Sequence, residues 1–214
     1  MIFQVYQQPI STVKTLNFIL HSKAINHKTP YIPLLLNYLM TQTNRTFTPV
    51  QLFTGIIFNK DVSIDVLTQE LEDTFNHKIT TMSDLYPFNH SSYYANEMGL
   101  NLQRCFVCFN ELVAPETAYK YKSLSINLEE RHKKDNKRIF NLDPGIISLH
   151  NLILYSTKNF AHRIACNQGI YAEVTLLFQK NAINVLDWTY PDFQQQAIQQ
   201  YFLNVRSTYH SKLR

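Results

Sequence analysis

Three short β-rich runs towards the C-terminus, residues 161–166, 170–178 and 183–188, are separated by connections of only a few residues. Neither connection can hold the crossover that parallel strands require, so the three runs must form an antiparallel meander. "NQG" and "QKNA" are the turn signals, with Gly169 supplying the left-handed conformation of the first. Because helical periodicities surround this meander, the expected fold class is α+β: a mixed, largely antiparallel sheet ending in the hairpin meander and covered by three to four helices.

Upstream, "VQLFTGIIF" reads as a strand, and "DVSIDVLTQELEDTFN" places Ile64, Leu67, Leu71 and Phe75 at helical spacing. "KITTMSDLYPF" predicts a strand with a loop, "HSSYYANEMG" a polar and aromatic connection, and "RCFVCFNELV" another strand. After Pro115 a helix carries Tyr121, Leu124 and Leu128 on one face. It ends in Arg131, Lys133, Lys134, Lys137 and Arg138, cations that suit a helix C-terminus without any ligand. Asp143 and Pro144 have the residue types of a helix cap and first turn, which predicts a helix burying Ile146, Leu149, Leu152 and Ile153. The last segment is an amphipathic helix, with Asp192 and Gln195 at capping-box spacing and Ile198, Tyr201, Phe202, Val205 and Tyr209 on one face.

At 214 residues the chain has length for one core, and the expected organisation is a single α+β domain over residues 40–214. Residues 1–39 are read as an N-terminal extension or a misassigned start, since "MTQTNRTFTPVQLF" offers an alternative beginning at Met40. Their apolar pieces fall short of the roughly 20 residues of a spanning helix. They also lack a signal peptide's basic region and cleavage pattern, so the expected location is the cytoplasm, away from membranes. Three cysteines are too few for a disulfide framework. Cys105 and Cys108, three apart on a strand, point to opposite faces and cannot share a metal, and no metal site is expected. A net charge of +4 gives no strong nucleic-acid signal, and four scattered glycines cannot build a phosphate loop or a dinucleotide turn. With no nucleophile beside a base and no H-E-x-x-H, the chain specifies no reaction class or cofactor, and its protein partners stay open.

The polar residues of "STKNFAHRIACNQGIYAEVTL" are the candidate site. A three-residue loop Asn167-Gln168-Gly169 pairs Cys166 with Ile170, Ile164 with Ala172 and Arg163 with Glu173. Ile164, Cys166, Ile170, Ala172, Val174, Leu176 and Phe178 then share a core face, and Arg163, Tyr171, Glu173 and Thr175 the other. A two-residue loop would instead turn Arg163 towards the core. His162 falls at the core-side start of its strand, as a buried, hydrogen-bonded side chain. Arg163 and Glu173 are either a cross-strand ion pair contributing about 0.2–1 kcal/mol or the centre of an anion site. In the second reading Lys158, His162, Arg163, Tyr171, Glu173 and Asp143 surround a small anionic ligand, such as a nucleotide or phosphate, in a pocket beside the hairpin. The alternative is a non-catalytic interaction or structural module without a small-molecule ligand, in which Trp188 and Tyr190 fix the C-terminal helix.

From about Pro49 onwards the chain also resembles a bacterial family, domain of unknown function 4416. The resemblance is carried by "VQLFTGIIF", "YPFNHSSYYANEMG", "NLDPG", "STKNFAHRI", "GIYAEVTL" and "WTYPDF", in the family's order. It implies an intracellular protein whose motif positions include Tyr94, Glu97, Asn141, Asp143, Lys158, His162, Arg163, Tyr171, Glu173, Trp188, Tyr190 and Asp192. Two positions depart from the family pattern: Ser125-Ile126 stands where a Thr-Asn pair is usual, and Ala165 where an aromatic is.

Overall fold

The strand read from "VQLFTGIIF", β1 (Val50–Asn59), is buried along almost its whole length. It lies inside a sheet covered on both faces, which is why its sequence is an unbroken apolar run rather than an alternation. The computed structural model describes residues 46–89 and 92–214; the expected extension or alternative start over residues 1–39 lies outside the described residues.

After β1 come α1 (Ile64–Phe75), β2 (Ile79–Met82), β3 (Tyr86–Pro87), α2 (Ser92–Met98) and β4 (Leu102–Val113). A single 3-10 turn, Pro115–Thr117, leads into α3 (Lys120–Arg131), then β5 (Phe140–Ile147), β6 (Asn151–Ser156), β7 (Ile164–Asn167), β8 (Ile170–Gln179) and β9 (Ala182–Val185). A second 3-10 turn, Pro191–Gln194, precedes α4 (Gln196–Lys212). The fold is α+β. The sheet order is β2-β4-β1-β5-β6-β8-β7, with β3 added on β4 and β9 on β8. Every strand pair among the described residues is antiparallel.

Two cores flank the sheet. On one side Leu67, Leu71 and Phe75 of α1 and Leu128 of α3 pack with Leu52, Ile56, Cys105, Val107 and Leu142. On the other, Ile198, Phe202 and Val205 of α4 pack with Phe193, Phe53, Phe106, Cys108, Leu152, Leu176 and Phe178. Cys105 and Cys108 therefore fall in different cores, both buried free thiols.

Several expectations are corrected. The helix expected from Asp143–Pro144 is instead a β-hairpin, β5 and β6, with Asp143 inside a strand opposite Gly55. Its apolar run fits a strand because both sheet faces are covered, and periodicity alone does not separate the two. The "HSSYYANEMG" connection contains the helix α2. Asp192 is no helix cap: α4 begins at Gln196 after the 3-10 turn, and no side chain caps it. The hairpin turn comprises two residues, Gln168 and Gly169, both at positive φ, and pairs Asn167 with Ile170. A register shift between Ala165 and Asn167 absorbs Cys166, so Ile164 still faces Ala172 as expected. The single core face does not form. A bulge at Thr175 brings Glu173 and Leu176 to the same side of the sheet, while Ile164 and Cys166 on the edge strand β7 are exposed.

Candidate functional site

The sheet is split at one point. The ladder between β5 and β6 covers only Gly145–Leu154 to Ile147–Leu152; beyond it, residues 140–144 stay on β1 while β6 follows β8. Such a split strands backbone groups on β5, which must find partners. Two residues of α3, seven apart and so on one helical face, supply them. The Leu142 N–H donates to Glu129 Oε1 at 2.7 Å, and its carbonyl accepts from Lys122 Nζ at 2.7 Å. That is why a lysine and a glutamate are buried on a helix packed against the sheet.

A cavity of about 700 Å³ occupies the split. Asn141 and Asp143 of β5 and Leu154, Tyr155 and Ser156 of β6 line it, with Glu173 from β8. Lys122, Ile126 and Glu129 come from α3, Tyr93 and Tyr94 from α2, and Tyr190 to Phe193 from the turn before α4.

At the floor, Arg104 of β4 bridges two carboxylates: Nη1 donates to Asp143 Oδ2 at 3.1 Å, and Nε lies 3.2 Å from Asp192 Oδ2. Burial alone would favour its neutral form, but Asp192 and Asp143 hold it charged. Gly55 makes the space, since a Cβ there would lie 2.7 Å from Arg104 Nη2. The guanidinium also sits over the Phe106 ring, 4.7 Å from its centroid. Burial would raise the Asp143 carboxyl, yet Lys122 and Arg104 outweigh it and keep Asp143 below its ordinary range.

Arg138 ties three elements together. Its Nε and Nη2 grip both oxygens of Glu97 on α2 at 2.8 and 2.7 Å, while Nη1 donates to Asn141 Oδ1 at 2.7 Å and to Glu129 Oε2 at 3.2 Å. The Arg138 hydrogen bonds lower the Glu97 carboxyl, whereas burial raises that of Glu129.

On the hairpin side Glu173, 2% exposed, accepts from Arg163 Nε at 2.6 Å and contacts His162 Nε2 at 3.1 Å. Arg163 also donates to the Lys158 carbonyl at 2.7 Å and to the Tyr190 hydroxyl at 2.7 Å. Burial, with Glu173 nearby, pushes the Tyr190 phenol up to about 12. Lys158 Nζ stands 4.3 Å from the centroid of Tyr93. Among the described residues it has no carboxylate within ion-pairing distance.

Of the six residues expected from the sequence, the cavity gathers Lys158, Arg163, Glu173 and Asp143. His162 stands behind Glu173, stacked on Trp188 with ring centroids 4.8 Å apart. It is hydrogen-bonded as expected, though against an indole rather than in the core. Tyr171 shares a sheet face with Glu173 but is not part of the lining. Sequence reasoning missed Arg104, Lys122 and Glu129, named Asn141 and Asp192 only as motif positions implied by the resemblance, and set Arg138 aside as a helix-end cation. An arginine inside the apolar strand "RCFVCF" was the available signal, as was Asn141-x-Asp143, whose spacing puts both side chains on one face. Among the described residues no three His, Cys, Asp or Glu side chains are grouped to hold a metal, and no helix is long and apolar enough to cross a membrane.

Residues 48–209 match the model of the family described as Domain of unknown function (DUF4416). No curated protein and no solved structure matches the chain.

Proposed function

The chain belongs to the DUF4416 family, and from that premise we propose that its cavity binds a small anionic ligand of the phosphate or nucleotide class. Lys158 carries this reading. Every other cation of the lining has a carboxylate: Arg104 has Asp143 and Asp192, Lys122 has Asp143, Lys133 has Glu130, Arg138 has Glu97 and Glu129, and Arg163 has Glu173. Each of these five cations is therefore matched by at least one carboxylate. Among the described residues the Lys158 ammonium has no carboxylate and is left for a charge from outside, and cavities of about 300–1,000 Å³ suit small ligands.

A thermal-shift screen of inorganic phosphate, nucleotides and divalent metals tests this reading on the wild type, Lys158→Ala and Arg163→Ala. An anion at about a hundred times its Kd stabilises the wild type by about 2.7 kcal/mol, and Lys158→Ala loses that shift. No stabilisation by any anion overturns the proposal. The reading as an interaction module draws support from Phe160 and Ile164, 66% and 71% exposed beside the hairpin. It predicts that substituting these two residues, rather than Lys158, removes binding.

A further inference from the structure

The cavity floor is balanced in charge, with Arg104 and Lys122 set against Asp143 and Asp192. A charged ligand group placed there would meet no unpaired counter-charge, whereas a neutral polar group disturbs nothing. Hydrogen-bonding capacity is nevertheless left over. The Asp143 side chain is 26% exposed, and Lys122 approaches its Oδ1 only to 3.5 Å, so carboxylate lone pairs remain open.

Asn141 stands two residues earlier, on the same face of β5, beside Asp143. Its Oδ1 accepts from Arg138, which can only donate, and this fixes which end of the amide is which. Asn141 Nδ2 has no partner within full hydrogen-bond distance although the residue is only 3% exposed; its pull on the neighbouring Asp143 carboxylate, which helps to hold that carboxyl low, falls short of a formed bond. A buried donor without an acceptor is costly, and one beside a cavity is best relieved by a ligand atom. A carbonyl would satisfy only the amide, and an ammonium only the carboxylate. A hydroxyl does both at once.

Resting on the anion-binding reading above, we infer that the ligand is a hydroxyl-bearing phosphate monoester, a sugar phosphate. Its phosphate lies on Lys158, and a neutral hydroxyl bridges Asp143 and Asn141, donating to the carboxylate and accepting from the amide. A nucleoside monophosphate carries the same chemistry in its ribose, so the test separates the two sources.

Titration calorimetry on the full chain compares inorganic phosphate, propyl phosphate, ribose 5-phosphate and adenosine 5′-monophosphate. Ribose 5-phosphate is expected to bind about tenfold tighter than propyl phosphate, which has no hydroxyl. That ratio falls below about threefold in Asn141→Ala and Asp143→Asn. Should either variant fail to fold, the two esters on the wild type still decide. Equal affinity for both esters, lost for both in Lys158→Ala, overturns the hydroxyl inference and leaves anion binding intact. Adenosine 5′-monophosphate binding more than about tenfold tighter than ribose 5-phosphate also overturns it, because the base is then what the site reads. Binding of no phosphate compound overturns both readings.

Discussion

Glu173 and Lys158 line the same cavity and are held there by opposite means. The Glu173 carboxylate is buried against Arg163 and His162, so its loss leaves a nearly buried guanidinium without its counter-charge. Glu173→Gln is expected to lower the unfolding free energy by about 3 kcal/mol in urea denaturation. Lys158→Ala, at an exposed ammonium, stays within about 0.5 kcal/mol. A comparable loss in both variants would make Lys158 a structural residue and remove it as a ligand contact. Two other carboxyls give opposite pH slopes. Burial lifts the Glu129 carboxyl above its ordinary 4.5, so the folded protein keeps a proton that the unfolded chain releases. Its contribution to stability therefore falls as the pH rises through 4.5 towards the folded value. Asp143 lies below its ordinary 3.8, so its contribution is complete above that value and is lost as the pH falls through the folded value. Urea midpoints from about pH 3 to about pH 8 check both: the wild type's advantage over Glu129→Gln shrinks with rising pH, and its advantage over Asp143→Asn grows.

At the scale of elements, α2 is tied to the rest of the fold by the Arg138–Glu97 contact. Arg138 holds Glu97 through a two-pronged contact, alongside the smaller apolar cluster of Met98 and Tyr94 with Ile57, Phe88 and Leu102. Lysine keeps the charge but cannot form that fork. Arg138→Lys is expected to cost about 2 kcal/mol and to speed amide exchange over residues 92–98, while α1 and α4 stay protected. The sequence carried α1, α3 and α4, because each follows from local period; the Ile164–Ala172 register was reached through a three-residue turn that does not form, and it holds because the bulge at Cys166 offsets the shorter two-residue turn. Arg163 against Glu173 followed from that register. The β5–β6 hairpin did not, since an apolar run covered on both faces loses its alternation and Asp143-Pro144 mimics a helix start. The bulge at Thr175 moved Glu173 onto the side of Leu176, and nothing within β8 marks that position. Half of the cavity was out of reach for the same reason. Lys122 and Glu129 look like ordinary helix-surface charges until the split between β5 and β6 gives them backbone groups to satisfy.

For the whole molecule, the sheet is the organising fact. Its two covered faces bury β1 and β4 at the centre, and the place where β5 and β6 part becomes a cavity instead of core. Charged residues from β4, β5, α3, the segment before β5 and the hairpin converge there because the split leaves polar backbone and open volume together. The central claim is that a small anion binds in this split and is held by Lys158. Amide chemical shifts of the nitrogen-15-labelled protein during titration with inorganic phosphate and ribose 5-phosphate test it most directly. The account predicts saturable shifts confined to residues around 141–143, 156–163, 173 and 190–193, absent in Lys158→Ala. Saturable shifts centred elsewhere, or the same shifts persisting in Lys158→Ala, would contradict it.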